Sequence, residues 1–209
     1  MIDFYTWTTP NGRKVSILLE ELGIPYNVIS INIGKGEQNF PDFLKISPNN
    51  KIPAIVDHET GAALMESGAI LIYLSEKYEM FLPRDKVRKS SVIEWLMWQM
   101  GGLGPILGQV HHFTHFNPGR SSYAENRFHE EADRLYKVLD SRLENRKYIC
   151  DEYSIVDMAC WPWVSRYEWQ KINLSKYPCV RRWYRQLLQR EAVQAGYHVP
   201  KHMGKIPEG

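Results

Sequence analysis

The stretch SPNNKIPAIVD, residues 47–57, places a proline at the entrance of a predicted buried strand. Its second half, AIVD, is typical of a strand inside a sheet. Proline has no backbone N–H to donate, so sheets confine it to edge strands, first positions and bulges. Pro53 is therefore either a trans proline that marks the boundary of a strand, or a residue whose function requires it at that boundary.

The segments before this stretch alternate between strand and helix patterns. Residues 2–7 (IDFYTW) alternate in polarity and are rich in aromatic residues. The next run, RKVSILLEELG, repeats its apolar residues with helical spacing and ends at Gly23, a helix stop signal. Residues 26–33 (YNVISINI) form a second predicted strand. A strand, a helix and a further parallel strand make a right-handed βαβ unit.

The segments after residue 33 complete a first domain. FPDFLKI predicts a short helix, AIVD the third strand, and the residues after the turn at Gly61 a fourth. SGAILIYLSEKY predicts a helix with Ile70, Leu71 and Leu74 facing inward. The order β-α-β-α-β-β-α predicts an α/β domain with a mixed sheet over residues 1–80.

Beyond a charged linker at residues 81–87, the strand patterns stop, and we predict an all-helical domain over residues 88–209. Glycines and a proline in WQMGGLGPILGQ predict a kinked or loosened helix near Gly104. The motif DEYSIVDM has Ser154 three residues before Asp157, the spacing of a helix capping box, which we interpret as structural. From Ala195 onward we predict a loop on the surface.

Composition limits the classes of function. The net charge of +2, with acids and bases interspersed, lacks the basic surface of a nucleic-acid-binding protein. The chain starts with an alternating pattern rather than a leader, and no apolar run approaches the length of about 18 residues needed to span a membrane, so we expect a cytoplasmic protein. Three cysteines without a C-x-x-C pair argue against a disulfide scaffold and a dithiol redox motif. Any thiol chemistry would need a thiol from another molecule.

Six motifs in a fixed order resemble the glutathione transferases, and more narrowly their Nu class, bacterial enzymes described as disulfide-bond oxidoreductases. These motifs cover about residues 1–190 of the chain. They are TPNGRKV, GKGEQ, ISPNNKIPAIVD, ESGAILIYL, WQMGGLGPILGQVHHF and SIVDMACWPWV. The resemblance implies a thioredoxin-like first domain that binds glutathione, and a helical second domain that forms the pocket for the second substrate.

The resemblance also implies residues that bind glutathione. Pro53 would be cis, so that the backbone of Ile52 pairs with the cysteinyl unit of glutathione. Glu66 and Ser67 would take the amine and carboxylate of the γ-glutamyl end. On residue pattern alone, Ser67 is an ordinary helix N-cap. Gln38 would line the glycyl end, and Lys51 would assist there electrostatically.

The motif TTPNG supplies the predicted thiol site. The resemblance implies that Thr9 and Asn11 lie near the glutathione sulfur and donate hydrogen bonds to it. By pattern alone, the motif is a Pro-Asn-Gly turn with a threonine cap. Arg127, by pattern a surface charge, would reach the glutathione of the neighbouring subunit, which implies a homodimer.

The predicted activity is thiol-disulfide exchange with glutathione as cosubstrate, with hydroperoxide reduction and conjugation to electrophiles as secondary reactions. Two alternatives remain at this point: a transferase that mainly conjugates glutathione, and a non-catalytic interaction module of the same fold. We predict no metal site, because His111 and His115 share a helical face but two ligands do not make a zinc site.

Overall fold

The computed structural model describes all 209 residues and divides into two compact units. The first contains Met1–Leu82 together with Arg190–Ile206, and the second contains Pro83–Gln189 together with Pro207–Gly209. The domain limits proposed from the sequence therefore need revision at the C-terminal end, since residues 190–206 pack with the first unit. The linker proposed at 81–87 also overlaps the first helix of the second unit, which begins at Lys86.

A mixed four-stranded sheet forms the first unit. Its order is β2-β1-β3-β4; β1 is parallel to β2 and antiparallel to β3, and β4 is antiparallel to β3. The predicted sequence of strands and helices is confirmed. The elements are β1 (Ile2–Thr6), α1 (Pro10–Leu22), β2 (Tyr26–Ser30), α2 (Pro41–Ile46), β3 (Ala54–Asp57), β4 (Ala62–Met65) and α3 (Ser67–Tyr78).

The C-terminal segment corrects the sequence interpretation. Residues 191–197, expected in part to be a surface loop, form helix α9 (Glu191–Tyr197), which packs on α1. Ser16 Oγ donates a hydrogen bond to the Gly196 carbonyl at 2.6 Å. Arg13 Nε donates to the Tyr197 carbonyl at 2.9 Å, and its guanidinium lies 3.5 Å from the centre of the Tyr197 ring. Seven residues are too few for a clear helical pattern, so these tertiary contacts decide the conformation.

Five helices and two π-helical turns form the second unit. The helices are α4 (Lys86–Trp98), α5 (Gly104–Val110), α6 (Ser122–Arg142), α7 (Ile155–Val164) and α8 (Pro178–Leu188). The irregularity predicted near Gly104 is a π-helical turn, Gln99–Leu103, which leads directly into α5. None of these helices combines the length and the apolar surface that a membrane span requires.

The capping box at the start of α7 is confirmed. The Ser154 backbone N–H donates to Asp157 Oδ2 at 3.1 Å, and the Ser154 hydroxyl caps the helix. Asp157 also accepts a hydrogen bond from Trp183 Nε1 at 2.8 Å and so ties α7 to α8. Burial raises the pKa of Asp157 to about 6 despite these bonds. Its role is structural, as the pattern indicated.

The close packing of α9 on α1 yields a stability prediction. A Cβ at Gly196 would lie 2.7 Å from the backbone N and Cα of Ile17, whereas a Cβ at Gly101 would meet nothing within 4 Å. We expect Gly196→Ala to lower the free energy of unfolding by about 1 to 3 kcal/mol and to speed hydrogen exchange in residues 191–206. Gly101→Ala is the matched control and should leave both unchanged. Equal urea midpoints for the two variants would contradict this packing.

Candidate functional site

Strand pairing brings three of the predicted motifs to one edge of the sheet. Ala54 of β3 pairs with Tyr5 of β1 on one side and with Met65 of β4 on the other. The residues one step beyond this row are therefore neighbours: Thr6 at the end of β1, Pro53 at the start of β3, and Glu66 after β4. This edge is the candidate functional site.

The first turn of α1 begins directly after β1 at this edge. Thr9 is the N-cap, and its side-chain oxygen accepts a hydrogen bond from the Gly12 N–H at 3.2 Å. The absence of a side chain at Gly12 permits the tight connection, because a Cβ there would lie 2.4 Å from Thr6 Oγ1. Asn11 lies within the same turn. Since a hydroxyl can accept and donate together, the Thr9 O–H can still donate to a bound group.

The entrance to β3 has the predicted backbone form. The Ile52–Pro53 peptide bond is cis, as the resemblance implied. Ser47 Oγ donates to the Lys51 carbonyl at 2.7 Å, which holds the loop before Ile52. The Ile52 side chain packs against a small apolar cluster, whereas Lys51 is exposed. The cluster consists of Ile31, Phe43 and Ala54.

The Glu66–Ser67 pair differs in one respect from the sequence interpretation. The N-cap of α3 is Glu66, not Ser67, and Glu66 has a φ of +69°. A non-glycine residue with positive φ is costly, and such residues cluster at functional sites. Because β4 ends at Met65, Glu66 alone makes the turn, and Ser67 becomes the first residue of the helix. Asn49 Nδ2 donates to Glu66 Oε1 at 3.2 Å.

Lys14 is a candidate site residue that the sequence analysis missed. Its side chain is 1% exposed, and its Nζ donates to Ser67 Oγ at 3.3 Å. The bond joins α1 to the first residue of α3. The signal was present in the sequence, because Lys14 lies four residues before Leu18 and so shares its buried helical face. A buried cation at the N-terminus of a helix favours an anionic ligand there.

Two buried carbonyl oxygens near the loop before β3 lack partners. They are Gln38 Oε1 and Asn50 Oδ1. Gln38 lies in the 3₁₀ turn Glu37–Asn39, and Asn50 Nδ2 donates to Asn39 Oδ1 at 2.8 Å, so the two segments are joined. A buried acceptor without a donor is costly, and a ligand N–H would satisfy it.

Arg127 is the predicted site residue that belongs to the second unit. It is exposed on α6 and lines a cavity of about 340 Å³. The other lining residues are Ile106, Phe128, Glu130, Glu131 and Arg134. Glu131 is bound by Arg134 at 2.7 Å, and Arg134 first and Arg127 to a lesser extent lower the pKa of Glu131. The proposed contact of Arg127 with glutathione in a neighbouring subunit stays a prediction.

The histidine cluster of the second unit forms an aromatic assembly. His111 is buried and stacks on Trp163. Its Nε2 forms a hydrogen bond with Gln170 Nε2 at 3.2 Å, and burial lowers the pKa of His111 to about 4. His115 stacks on Trp169, with ring centres 4.0 Å apart. No group of three histidine, cysteine or acidic side chains is arranged to hold a metal ion.

Asp57 is the last residue of β3, at the end of the strand opposite the site, and it binds β3 to α3. It is fully buried and accepts hydrogen bonds from Lys77 Nζ at 2.5 Å and Tyr73 Oη at 2.6 Å, both on α3. Burial alone would raise the pKa of Asp57, but the bonds from Lys77, Tyr73 and the Glu59 N–H outweigh it and hold the pKa at about 2.

This anchor predicts a pH dependence of stability. Because the folded-state pKa of Asp57 lies below its ordinary value, its contribution is complete above about pH 4 and is lost as the pH falls to about 2. We expect Asp57→Asn to cost about 2 kcal/mol at neutral pH and to remove this part of the acid dependence in urea unfolding. Asp42→Asn, which removes an exposed carboxylate, is the control. An Asp57→Asn protein as stable as the parent at pH 7 would contradict the anchor.

Comparison with known proteins agrees with this geometry. The model of the glutathione S-transferase N-terminal domain matches residues 4–84, and that of the C-terminal domain matches residues 104–191. The chain is 49% identical over 199 residues to disulfide-bond oxidoreductase YfcG of Escherichia coli strain K12, which covers 92% of this chain and 93% of the relative. It is 39% identical over 223 residues to disulfide-bond oxidoreductase YghU of the same strain, covering 99% and 77%.

Solved structures show the same similarity. A glutathione transferase from Pseudomonas putida, with one glutathione disulfide bound per subunit, matches with a TM-score of 0.89 and 39% identity, covering 95% of this chain and 91% of that one. One from Burkholderia graminis, with two glutathione molecules per subunit, matches with a TM-score of 0.90 and 39% identity, covering 97% and 89%. The chain therefore belongs to the glutathione S-transferase family, as its six motifs predicted.

Proposed function

We propose that this protein is a glutathione-dependent disulfide-bond oxidoreductase whose glutathione site is the sheet edge around Thr9, Pro53 and Ser67. The observation that carries the proposal is the row Tyr5–Ala54–Met65, which sets three glutathione motifs side by side. The names of the relatives YfcG and YghU and the ligands of the solved neighbours support it.

The groups at the edge fit the parts of the tripeptide. The γ-glutamyl carboxylate would bind at the first turn of α3, where Ser67 and the buried ammonium of Lys14 favour an anion. The adjacent Glu66 would take the γ-glutamyl amine. The backbone of Ile52 would pair with the cysteinyl unit. Towards the glycyl end, Gln38 Oε1 offers an acceptor without a partner. Lys51, which is exposed, would face the glycyl carboxylate.

Thr9 and Asn11 would stabilise the thiolate of bound glutathione. Lowering a thiol pKa from about 8.5 to about 6.5 requires roughly 2.7 kcal/mol. A hydrogen bond to a charged group contributes about 1.5 to 3 kcal/mol, and a helix N-terminus about 0.3 to 1. One donor at the start of α1 is therefore sufficient, and the thiolate fraction at pH 7 rises from about 3% to about three quarters.

The reaction would proceed by two exchanges. The bound thiolate attacks one sulfur of a disulfide, forming a mixed disulfide and releasing the other sulfur as a thiolate, which takes up a proton. The thiolate of a second glutathione then attacks the glutathione sulfur of the mixed disulfide. Glutathione disulfide forms and the second thiol leaves, so two glutathione molecules are oxidised for each disulfide reduced. The same activated thiolate would reduce organic hydroperoxides and attack electrophiles at lower efficiency.

The protein's own cysteines would take no part. Cys150 and Cys160 are buried, and burial raises the pKa values of Cys150 and Cys179. A thiol with a raised pKa is a poor nucleophile at neutral pH.

We further propose that the protein acts in the cytoplasm, where glutathione is kept reduced. We also propose that it is a homodimer in which Arg127 reaches the neighbouring subunit's glutathione.

Three substitutions at Thr9 separate capping from thiol activation. Thr9→Asp retains a good N-cap but has no hydroxyl donor and repels a thiolate, whereas Thr9→Ser keeps both functions. We expect Thr9→Asp and Thr9→Ala to lose about tenfold or more in kcat/KM with bis(hydroxyethyl) disulfide and to lose the ultraviolet absorbance of the bound thiolate. Thr9→Ser should resemble the parent. Full activity in a folded Thr9→Asp protein would refute this role.

A second experiment tests whether glutathione supplies the only reactive thiol. We expect a protein carrying Cys150→Ser, Cys160→Ala and Cys179→Ser together to bind glutathione and retain most of its reductase activity. Calorimetry and circular dichroism verify binding and folding. Loss of most activity in a folded, glutathione-binding protein would overturn the mechanism.

Substrate comparison distinguishes the remaining alternatives. A conjugating transferase would turn over an aromatic halide faster than bis(hydroxyethyl) disulfide, which is the reverse of the order proposed here. A calorimetric titration that shows no glutathione binding at millimolar concentration would favour the non-catalytic module.

A further inference from the structure

The segment that follows α9, His198–Lys205, passes over the loop that carries the thiol site, and we call it the C-terminal strap. Lys201 Nζ lies 4.5 Å from the centre of the Trp7 ring. Trp7 in turn precedes Thr9 by two residues, and its carbonyl accepts a hydrogen bond from the Thr9 N–H at 2.7 Å. The Cα atoms of Trp7 and Thr9 are therefore at most about 8 Å apart.

The start of the strap is fixed by α9. The contacts of Ser16 and Arg13 with Gly196 and Tyr197 hold the end of α9 on α1. Within the strap, the rings of His198 and His202 stack with centres 4.0 Å apart, and the Gly204 N–H donates to His202 Nδ1 at 3.1 Å. The packing of α9 on α1 therefore fixes the start of the strap, and contacts within the strap order the residues on either side of Lys201.

The strap is rich in positive charge, and Lys201 is its cation over Trp7. Its sequence, HVPKHMGK, has two lysines and two histidines and no acidic residue. Lys201 is exposed, and no carboxylate lies within ion-pair distance of its ammonium. An aromatic ring attracts an ammonium and limits its movement without neutralising its charge. Lys201 therefore offers a positioned cation with N–H donors close to the thiol loop.

We propose that Lys201, held over Trp7 by the C-terminal strap, binds a carboxylate on the non-glutathione half of the disulfide and makes the enzyme selective for anionic disulfides. This inference rests on the proposed function, because it assigns the second substrate of the same site. The chemical class is a disulfide with a carboxylate a few bonds from its sulfur atoms. Such a substrate would place one sulfur at the Thr9 end and its carboxylate at Lys201.

Three small disulfides of different charge test the proposal: dithiodiglycolate, which is dianionic, bis(hydroxyethyl) disulfide, which is neutral, and cystamine, which is dicationic. We expect the parent to favour dithiodiglycolate over cystamine after correction for their uncatalysed reaction with glutathione. Lys201→Gln should lower kcat/KM for dithiodiglycolate by up to about fivefold, as for loss of an exposed ion pair. Its kcat/KM for bis(hydroxyethyl) disulfide should not change. Lys201→Glu should reverse the order of the charged substrates.

The control is Lys137→Gln, which removes the same charge from an exposed position on α6 and should leave all three ratios as in the parent. The preference for dithiodiglycolate should weaken with added salt in the parent and not in Lys201→Gln. If Lys201→Gln and Lys201→Glu leave the three ratios unchanged while the neutral disulfide is reduced, the proposal is wrong and the proposed function stands. If no disulfide is reduced by the parent, the proposed function itself fails.

Discussion

The central constraint on this structure is the pairing of β3 with two neighbours at once. Ala54 lies between Tyr5 and Met65, and both pairings are antiparallel. This register determines which residues lie just outside the sheet, so Thr6, Pro53 and Glu66 reach the same edge. A shift of β3 by one residue would turn its side chains to the opposite faces and separate the three motifs. Site geometry and sheet stability therefore depend on the same hydrogen bonds.

Two buried charges hold helices to this sheet in different ways. Asp57, at the end of β3 opposite the site, accepts hydrogen bonds from Lys77 and Tyr73 and so holds α3 to the sheet. Lys14 of α1 donates a hydrogen bond to Ser67 and so links α1 to the start of α3 at the site. The first interaction is an ion pair complete within the protein. The second places a buried cation beside the N-terminus of α3, a combination that favours a negatively charged ligand.

In the C-terminal part of the chain, amino-acid composition predicted the local structure poorly. Residues 195–205 contain glycine, proline and histidine, which predicts a loop. Gly196, however, lets α9 approach the backbone of Ile17 closely, and Arg13 stacks on Tyr197. The contacts that order this segment come from α1. Its hydrogen bonds join residues that are 180 and 184 positions apart in the sequence. A local pattern cannot contain that information.

The sequence by itself determined the order of strands and helices, the mixed sheet and the family, because helical and strand periodicities are local and the six motifs are specific in combination. The family resemblance in turn implied roles for Thr9, Pro53 and Glu66, whereas their residue patterns alone indicated only a threonine cap, a strand boundary and a helix start. The tertiary structure alone decided that Glu66 rather than Ser67 caps α3, that Lys14 donates to Ser67, and that Lys201 of the C-terminal strap lies over Trp7. Each of these depends on which distant segment packs against a residue, and burial, unlike periodicity, is a property of the folded chain.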